Sequence, residues 1–141
     1  METVELTESN IEKYLNDCVE VQKFLVSDAS GINPAQFIET ASAPHSYFIA
    51  VVEDGRVAGL GVINKIVHPS RTNVYVDNIV VSPDFRGQGL FSVIMDTLEE
   101  KAKQWGAESI KLTCSREAVQ PMYEKRGYIE KTTTKYYVKK F

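Results

Sequence analysis

Residues 80–98 collect the parts of an anion site. Val80 and Val81 end a β-branched run, Pro83 breaks it, and Arg86-Gly87-Gln88-Gly89 leads into an amphipathic pattern that starts at Leu90. The first N–H groups of a helix have no partner inside it, and its dipole favours negative charge there. Glycines let the backbone come close to a ligand, and Arg86 adds a full positive charge beside them. The ligand such a turn suits is the phosphate of a cofactor. From the loop alone, a plain strand-to-helix turn with glycines for tight geometry competes evenly. Two other phosphate loops do not fit. No Lys follows Gly89 as a Walker loop requires, and Ser92 stands where a dinucleotide fingerprint has its third glycine.

Other groups able to do chemistry are few. Asp77 and Asn78 interrupt an apolar strand pattern, and a charge there is costly without a partner or a purpose. Strand alternation puts Asp77 on the face of Tyr75 and Ile79, with Asn78 on the opposite face. Asp77 is then either a general base or a hydrogen-bonded brace for the strand. Glu53 and Glu117 are weaker carboxylates for the same task. His45 and His68 each adjoin proline in loops, with no second ligand at metal spacing, so no metal is expected. Cys114 has no paired histidine and reads as a buried strand cysteine.

The elements that position these residues follow from changes of period. A short strand near Val4 to Leu6 precedes a helix capped by Thr7 or Ser9, with Ile11, Tyr14, Leu15, Cys18, Val21, Phe24 and Leu25 at helical spacing. Gly31 closes that region. Asn33-Pro34 starts a second helix, with Phe37 and Ile38 as its buried face. Tyr47 to Glu53, Val57 to Val67 and Asn73 to Val81 read as three strands, the first two joined by an Asp54-Gly55 hairpin turn. A long helix carries the core stripe Leu98, Ala102 and Trp105 and stops at Gly106. Ser109 to Cys114 is a strand, Pro121 to Arg126 a short helix, and Tyr128 to Lys139 one or two final strands. The outcome is one α+β domain over residues 1–141, with a mixed, mostly antiparallel twisted sheet and helices flanking it. Residues 74–114 form its parallel crossover.

Bulk properties narrow the class. The chain has 141 residues, 43% hydrophobic and 25% charged, with a net charge of −3, as suits one soluble globular domain. No basic run is long enough for a nucleic-acid footprint, and no apolar run approaches the roughly 20 residues that cross a bilayer. The acidic N-terminus lacks the regions of a signal peptide. Two cysteines give no disulfide framework, so a reduced, cytoplasmic protein is expected.

Val-x-Pro-x-Phe-Arg-Gly-x-Gly-Leu with its amphipathic helix resembles motif A of the GNAT (GCN5-related) N-acetyltransferases. Pro121 to Tyr128, Pro-Met-Tyr-Glu-Lys-Arg-Gly-Tyr, looks like the family's second signature at the usual distance downstream. The element order fits that family's fold over essentially the whole chain. The resemblance implies acetyl-CoA as donor. It implies pantetheine binding by the backbone of Ile79, Val80 and Val81, and pyrophosphate binding by the amides of Arg86, Gly87, Gln88, Gly89, Leu90 and Phe91. The family usually has Gly or Ala where Phe91 stands, which makes the helix start more crowded here. The matching tyrosine, Tyr123, is implied to be the general acid, and an ordinary phenol is protonated at neutral pH.

The acceptor stays open between several classes. A primary amine of a small molecule leads. The segment Asp77 to Phe141 is also similar to glucosamine-6-phosphate N-acetyltransferases, although Asn78 and Thr113 replace acids and the Cys114–Tyr123 spacing is one residue longer. Lys65, Arg71 and Arg116 are the cations available for such a phosphate. A protein lysine or N-terminus is a further alternative, and so is a non-catalytic acyl-CoA-binding module. Tyr- and Val-rich C-terminal strands would give a homodimer its edge.

Overall fold

The alternating apolar residues between Tyr47 and Val81 build the centre of one sheet. In the computed structural model, which describes Met1–Phe141, five strands lie in the order β1 (Glu2–Glu5), β2 (Ser46–Glu53), β3 (Arg56–Val67), β4 (Thr72–Val81) and β5 (Ser109–Lys111). The first four pair antiparallel, and β5 joins β4 in parallel after a crossover through α3 (Leu90–Gln104). The α+β class and the crossover are as the sequence predicts. Asp54 (φ 52°) and Gly55 (φ 73°) are both left-handed, the backbone of a two-residue hairpin matched to strand twist.

Helices cover both faces. On one side α1 (Ile11–Gln22) and α2 (Pro34–Ser42) bury Ile11, Cys18, Val21 and Phe37 against Phe48, Leu60, Val62 and Val80. On the other, α3 and the short α4 (Gln120–Glu124) pack Leu90, Ile94, Leu98 and Tyr123 against Ile49, Ile63 and Val74. Gly61 on β3 lets α3 settle close to the sheet. A Cβ there would stand 2.5 Å from Ile94 Cγ2, inside any real contact. The helix axis is thereby fixed, and with it the place to which its N-terminus points.

Local details depart from the sequence reading. The cap of α1 is Asn10, not Thr7 or Ser9. Its Oδ1 accepts the Thr7 N–H at 2.8 Å, and its Nδ2 donates to the Glu5 carbonyl at 2.8 Å, so the residue staples the turn between β1 and the helix. The first strand starts two residues earlier than expected, and α1 ends at Gln22, leaving Phe24 outside it and largely exposed. Asn33 and Pro34 start α2 as expected, with Asn33 Oδ1 accepting the Ala35 N–H at 3.0 Å. The last strand is only Ser109–Lys111, and the final strands expected from Tyr128 to Lys139 do not form. That segment alternates weakly in hydrophobicity, and Tyr136, Tyr137 and Val138 stand exposed. The free sheet edge expected of it belongs to β5.

Candidate active site

The strand β4 parts from its neighbour where the chemistry was expected. β5 pairs with it only at Asn73, Val74 and Tyr75, so from Val76 to Val81 that edge of β4 has no strand beside it. A cleft with open backbone donors and acceptors results. Of the three residues expected to line it, Val80 buries its side chain among the α1 and α2 residues, while Ile79 and Val81 lean on the α3 side. Their backbones on this edge have no strand partner. Val81 is partly engaged already, because Arg86 Nε donates to its carbonyl at 3.3 Å.

The loop at the end of this cleft leaves its amides free. Phe85 and Arg86 donate back into the turn, to Ser82 O and Pro83 O, and the next amide with an acceptor is that of Val93, bonded to Gly89 O at 3.2 Å. The N–H groups of Gly87, Gln88, Gly89, Leu90, Phe91 and Ser92 have no acceptor within the chain. Gly87 (φ 79°) and Gly89 (φ 80°) are both left-handed, and Gly89 is the N-cap of α3. Six consecutive free donors sit at the positive end of a 15-residue helix, and that end is worth about 0.3–2 kcal/mol to a bound anion. These residues fit the pyrophosphate of a nucleotide-bearing cosubstrate.

Tyr123 adjoins this turn through Phe91. The two rings meet edge to face at 5.2 Å, and Tyr128 meets the other side of Tyr123 at 5.6 Å. Phe91, the residue expected to crowd the helix start, packs against the phenol ring and the α3-side core. Tyr128 is anchored in turn, its hydroxyl donating to Glu99 Oε1 at 3.1 Å, with Arg126 holding Glu99 and Asp96. Tyr123 is 8% exposed, yet its hydroxyl makes no hydrogen bond in the chain and is not sealed from solvent. Burial, with Cys114 nearby, pushes the phenol up to about 12. The hydroxyl therefore keeps its proton well above neutral pH. Tyr123 and Cys114 also line a cavity of about 1250 Å³ under residues 128–137.

Asp77 and Ile79 do not share a face as alternation expects, and Asn78 joins Asp77 instead. Asn78 pairs with Val62 and Val76 with Ile63, so Asp77 is an extra residue in a bulge of β4. The bulge reverses the alternation. Val76 faces α3 but Val80 faces α1, and Asp77 and Asn78 together line a cavity on the α1 and α2 side. Asp77 is exposed rather than buried, which removes the argument from a desolvated charge. It is instead oriented: Ser46 Oγ donates to Asn64 Oδ1 at 2.5 Å, and Asn64 Nδ2 donates to Asp77 Oδ2. The other carboxylate oxygen is free. Asn78 and Gln22 exchange two amide bonds of 2.9 and 2.8 Å, tying α1 to the strand just beyond the bulge.

The sequence reading missed Ser46, Asn64 and Gln22. Their one signal was polarity, since Asn64 ends an apolar run in β3, and nothing local says which strand residue it meets. The weaker candidates lie elsewhere. Glu53 sits 3.7 Å from the N-terminal amine, and Glu117 is exposed after β5. No group of three His, Cys, Asp or Glu side chains is placed to hold a metal, both cysteines are free thiols, and no helix is long and apolar enough to cross a membrane.

Comparison with known proteins identifies the family and the fold. The model of the acetyltransferase (GNAT) family matches residues 11–128. A Drosophila melanogaster protein named "Probable glucosamine 6-phosphate N-acetyltransferase" is 26% identical over 113 residues, covering 74% of this chain and 51% of its own length. The chain thus spans about half the length of that curated relative. Among solved structures, an acetyltransferase from Trypanosoma brucei superposes with a TM-score of 0.79 at 21% identity, covering 97% of this chain and 98% of its own. Glucosamine-6-phosphate N-acetyltransferase from Arabidopsis thaliana gives 0.79 at 20% identity, covering 97% of each chain.

Proposed function

This chain belongs to the GNAT family of acetyltransferases, and on that premise we propose that it moves an acetyl group from acetyl-CoA to a primary amine of a small molecule. Acetyl-CoA supplies the activated acyl group as a thioester. The open edge of β4 at Ile79–Val81 receives its pantetheine arm, and the free amides from Gly87 to Phe91, with the N–H of Ser92, receive its pyrophosphate, beside Arg86. The amine nitrogen attacks the thioester carbon, a C–N bond forms and the C–S bond breaks. Asp77, directly or through a water, takes the proton that the amine loses. Tyr123 gives its hydroxyl proton to the departing sulfur and regains one from solvent.

The observation that carries this reading is the unpartnered hydroxyl of Tyr123, walled in by Phe91 at the start of the helix whose amides are free. The hydroxyl reaches solvent and is committed to no group in the chain, so it is free to meet a ligand. Replacing Tyr123 with Phe keeps the ring and removes the proton. Thiol release from acetyl-CoA should fall about 10²-fold in kcat while acetyl-CoA affinity, measured by calorimetry, stays within about twofold. Unchanged kcat in Tyr123→Phe would remove the general-acid role. Absence of release from the parent protein across a panel of amines would favour a non-catalytic acyl-CoA-binding module.

A further inference from the structure

The cavity on the α1 and α2 side, about 480 Å³, carries no cation in its wall. Amides dominate its polar lining, from Gln22, Asn33, Gln36, Asn64 and Asn78, and its charged groups are Asp28 and Asp77. Two carboxylates facing one space repel a phosphate and draw in ammonium groups. None of the three cations that a phosphosugar could use lines this cavity. Lys65 Nζ lies 5.3 Å over the Trp105 ring, Arg116 donates to the Leu25 carbonyl at 2.7 Å, and Arg71 is exposed in the β3–β4 turn.

Asp28 has no task in the reaction. It lies on the connection between α1 and α2, separated in sequence from the bulge that carries Asp77. One of its oxygens accepts the Ser30 N–H at 3.0 Å and the Ser30 hydroxyl at 2.6 Å, and those bonds hold its carboxyl below the usual range. Its second oxygen has no partner in the chain. We propose that the acceptor is a small diamine or polyamine, whose reacting amine meets Asp77 while its second ammonium pairs with Asp28. The proposal rests on the acetyltransferase reading above and names the class of its substrate. Apolar lining from Val26, Ile32 and Phe37 suits the methylene chain between the two nitrogens.

The test compares 1,4-diaminobutane, butylamine and glucosamine 6-phosphate by thiol release from acetyl-CoA. The diamine should exceed butylamine by about fivefold in kcat/KM at low salt, the size of effect an exposed ion pair supports. Because Asp28 is solvent-exposed, the ratio should shrink toward one at about 0.5 M salt. Asp28→Ser keeps a side-chain acceptor for the Ser30 amide and removes the charge. With its melting temperature unchanged, it should bring the diamine-to-butylamine ratio down to about one. Equal rates for the two amines at low salt, or glucosamine 6-phosphate outpacing the diamine, overturn the proposal and leave the acetyltransferase reading standing. No release with any amine removes both.

Discussion

The cleft proposed for the donor and the cavity proposed for the acceptor lie on either side of the same strand and are built on opposite principles. The donor side is backbone. Its free amides come from six consecutive residues, Gly87 to Ser92, and its open edge from Val76 to Val81, so one contiguous stretch carries nearly all of it. The acceptor side is side chains, gathered from α1, α2, the connection between them, β2, β3 and β4. A site made of amides tolerates almost any side chain that preserves the turn. A site made of carboxylates and carboxamides changes its ligand with each substitution. Such a division suits a fold that keeps one donor and varies its acceptor.

Asp77→Asn should break the acceptor side hardest. With the base removed and the bulge kept, kcat/KM for the amine should drop about 10²-fold while the KM for acetyl-CoA holds. Should Asp77 merely brace the bulge, the variant would instead lose melting temperature and keep its turnover. Asn64→Ala, which frees Asp77 without removing it, is expected to give a smaller loss of the same kind. The donor side answers to a different lever. Gly89→Val forces a β-branched residue into a left-handed backbone at a cost of about 1–2 kcal/mol, and the first turn of α3 must shift to relieve it. We expect the KM for acetyl-CoA to rise about tenfold there, and Gln88→Ala to leave it within twofold, since only the amide of Gln88 is used. A tenfold effect from Gln88→Ala would refute the backbone account.

On the α3 side, Phe91 and Tyr128 grip Tyr123 between their rings. Phe91→Leu keeps the amide and loses the edge-to-face contact, a change worth about 0.5–1.5 kcal/mol. Turnover should fall a few-fold with acetyl-CoA affinity unaltered, which steady-state kinetics and calorimetry together can show.

The same division explains what could be read before the fold was seen. The Arg86–Gly89 turn, the helix from Leu90 and the hairpin at Asp54-Gly55 are local patterns, and each was legible. The bulge at Asp77 was not, because it is a mismatch between two strands, visible only once Val62 and Ile63 find Asn78 and Val76. One inserted residue was enough to reverse the assigned faces of Ile79 and Asn78. The contact of Phe91 with Tyr123 was not legible either, because the two lie more than 30 residues apart. The terminal strands failed for the converse reason. Local β propensity in Thr132–Val138 is real, but no neighbouring edge receives it, and propensity without pairing does not make a strand.

Alkali offers the gentlest way to separate the sides. Cys18, sealed beneath the acceptor side, has its thiol pushed from 9.0 up to about 12 by burial and by Asp17. Tyr123, on the donor side, is pushed from 10.0 to about 12. Both groups keep their protons in the folded chain at pH values where the unfolded chain releases them. The unfolded state then binds fewer protons, so stability falls as pH rises. The contribution of Cys18 is whole below pH 9.0 and drains between there and about 12, while that of Tyr123 begins to drain only from 10.0. Urea midpoints between pH 8 and 10.5 should therefore decline first through the thiol, and Cys18→Ala should flatten the slope between about pH 9 and 10 while Tyr123→Phe leaves it alone. Turnover of the protein that remains folded should hold across this range, because the phenol is still protonated. A loss of kcat near pH 10 without loss of fold would mean that Tyr123 titrates as an ordinary phenol, and that its burial does not protect the proton it is proposed to give.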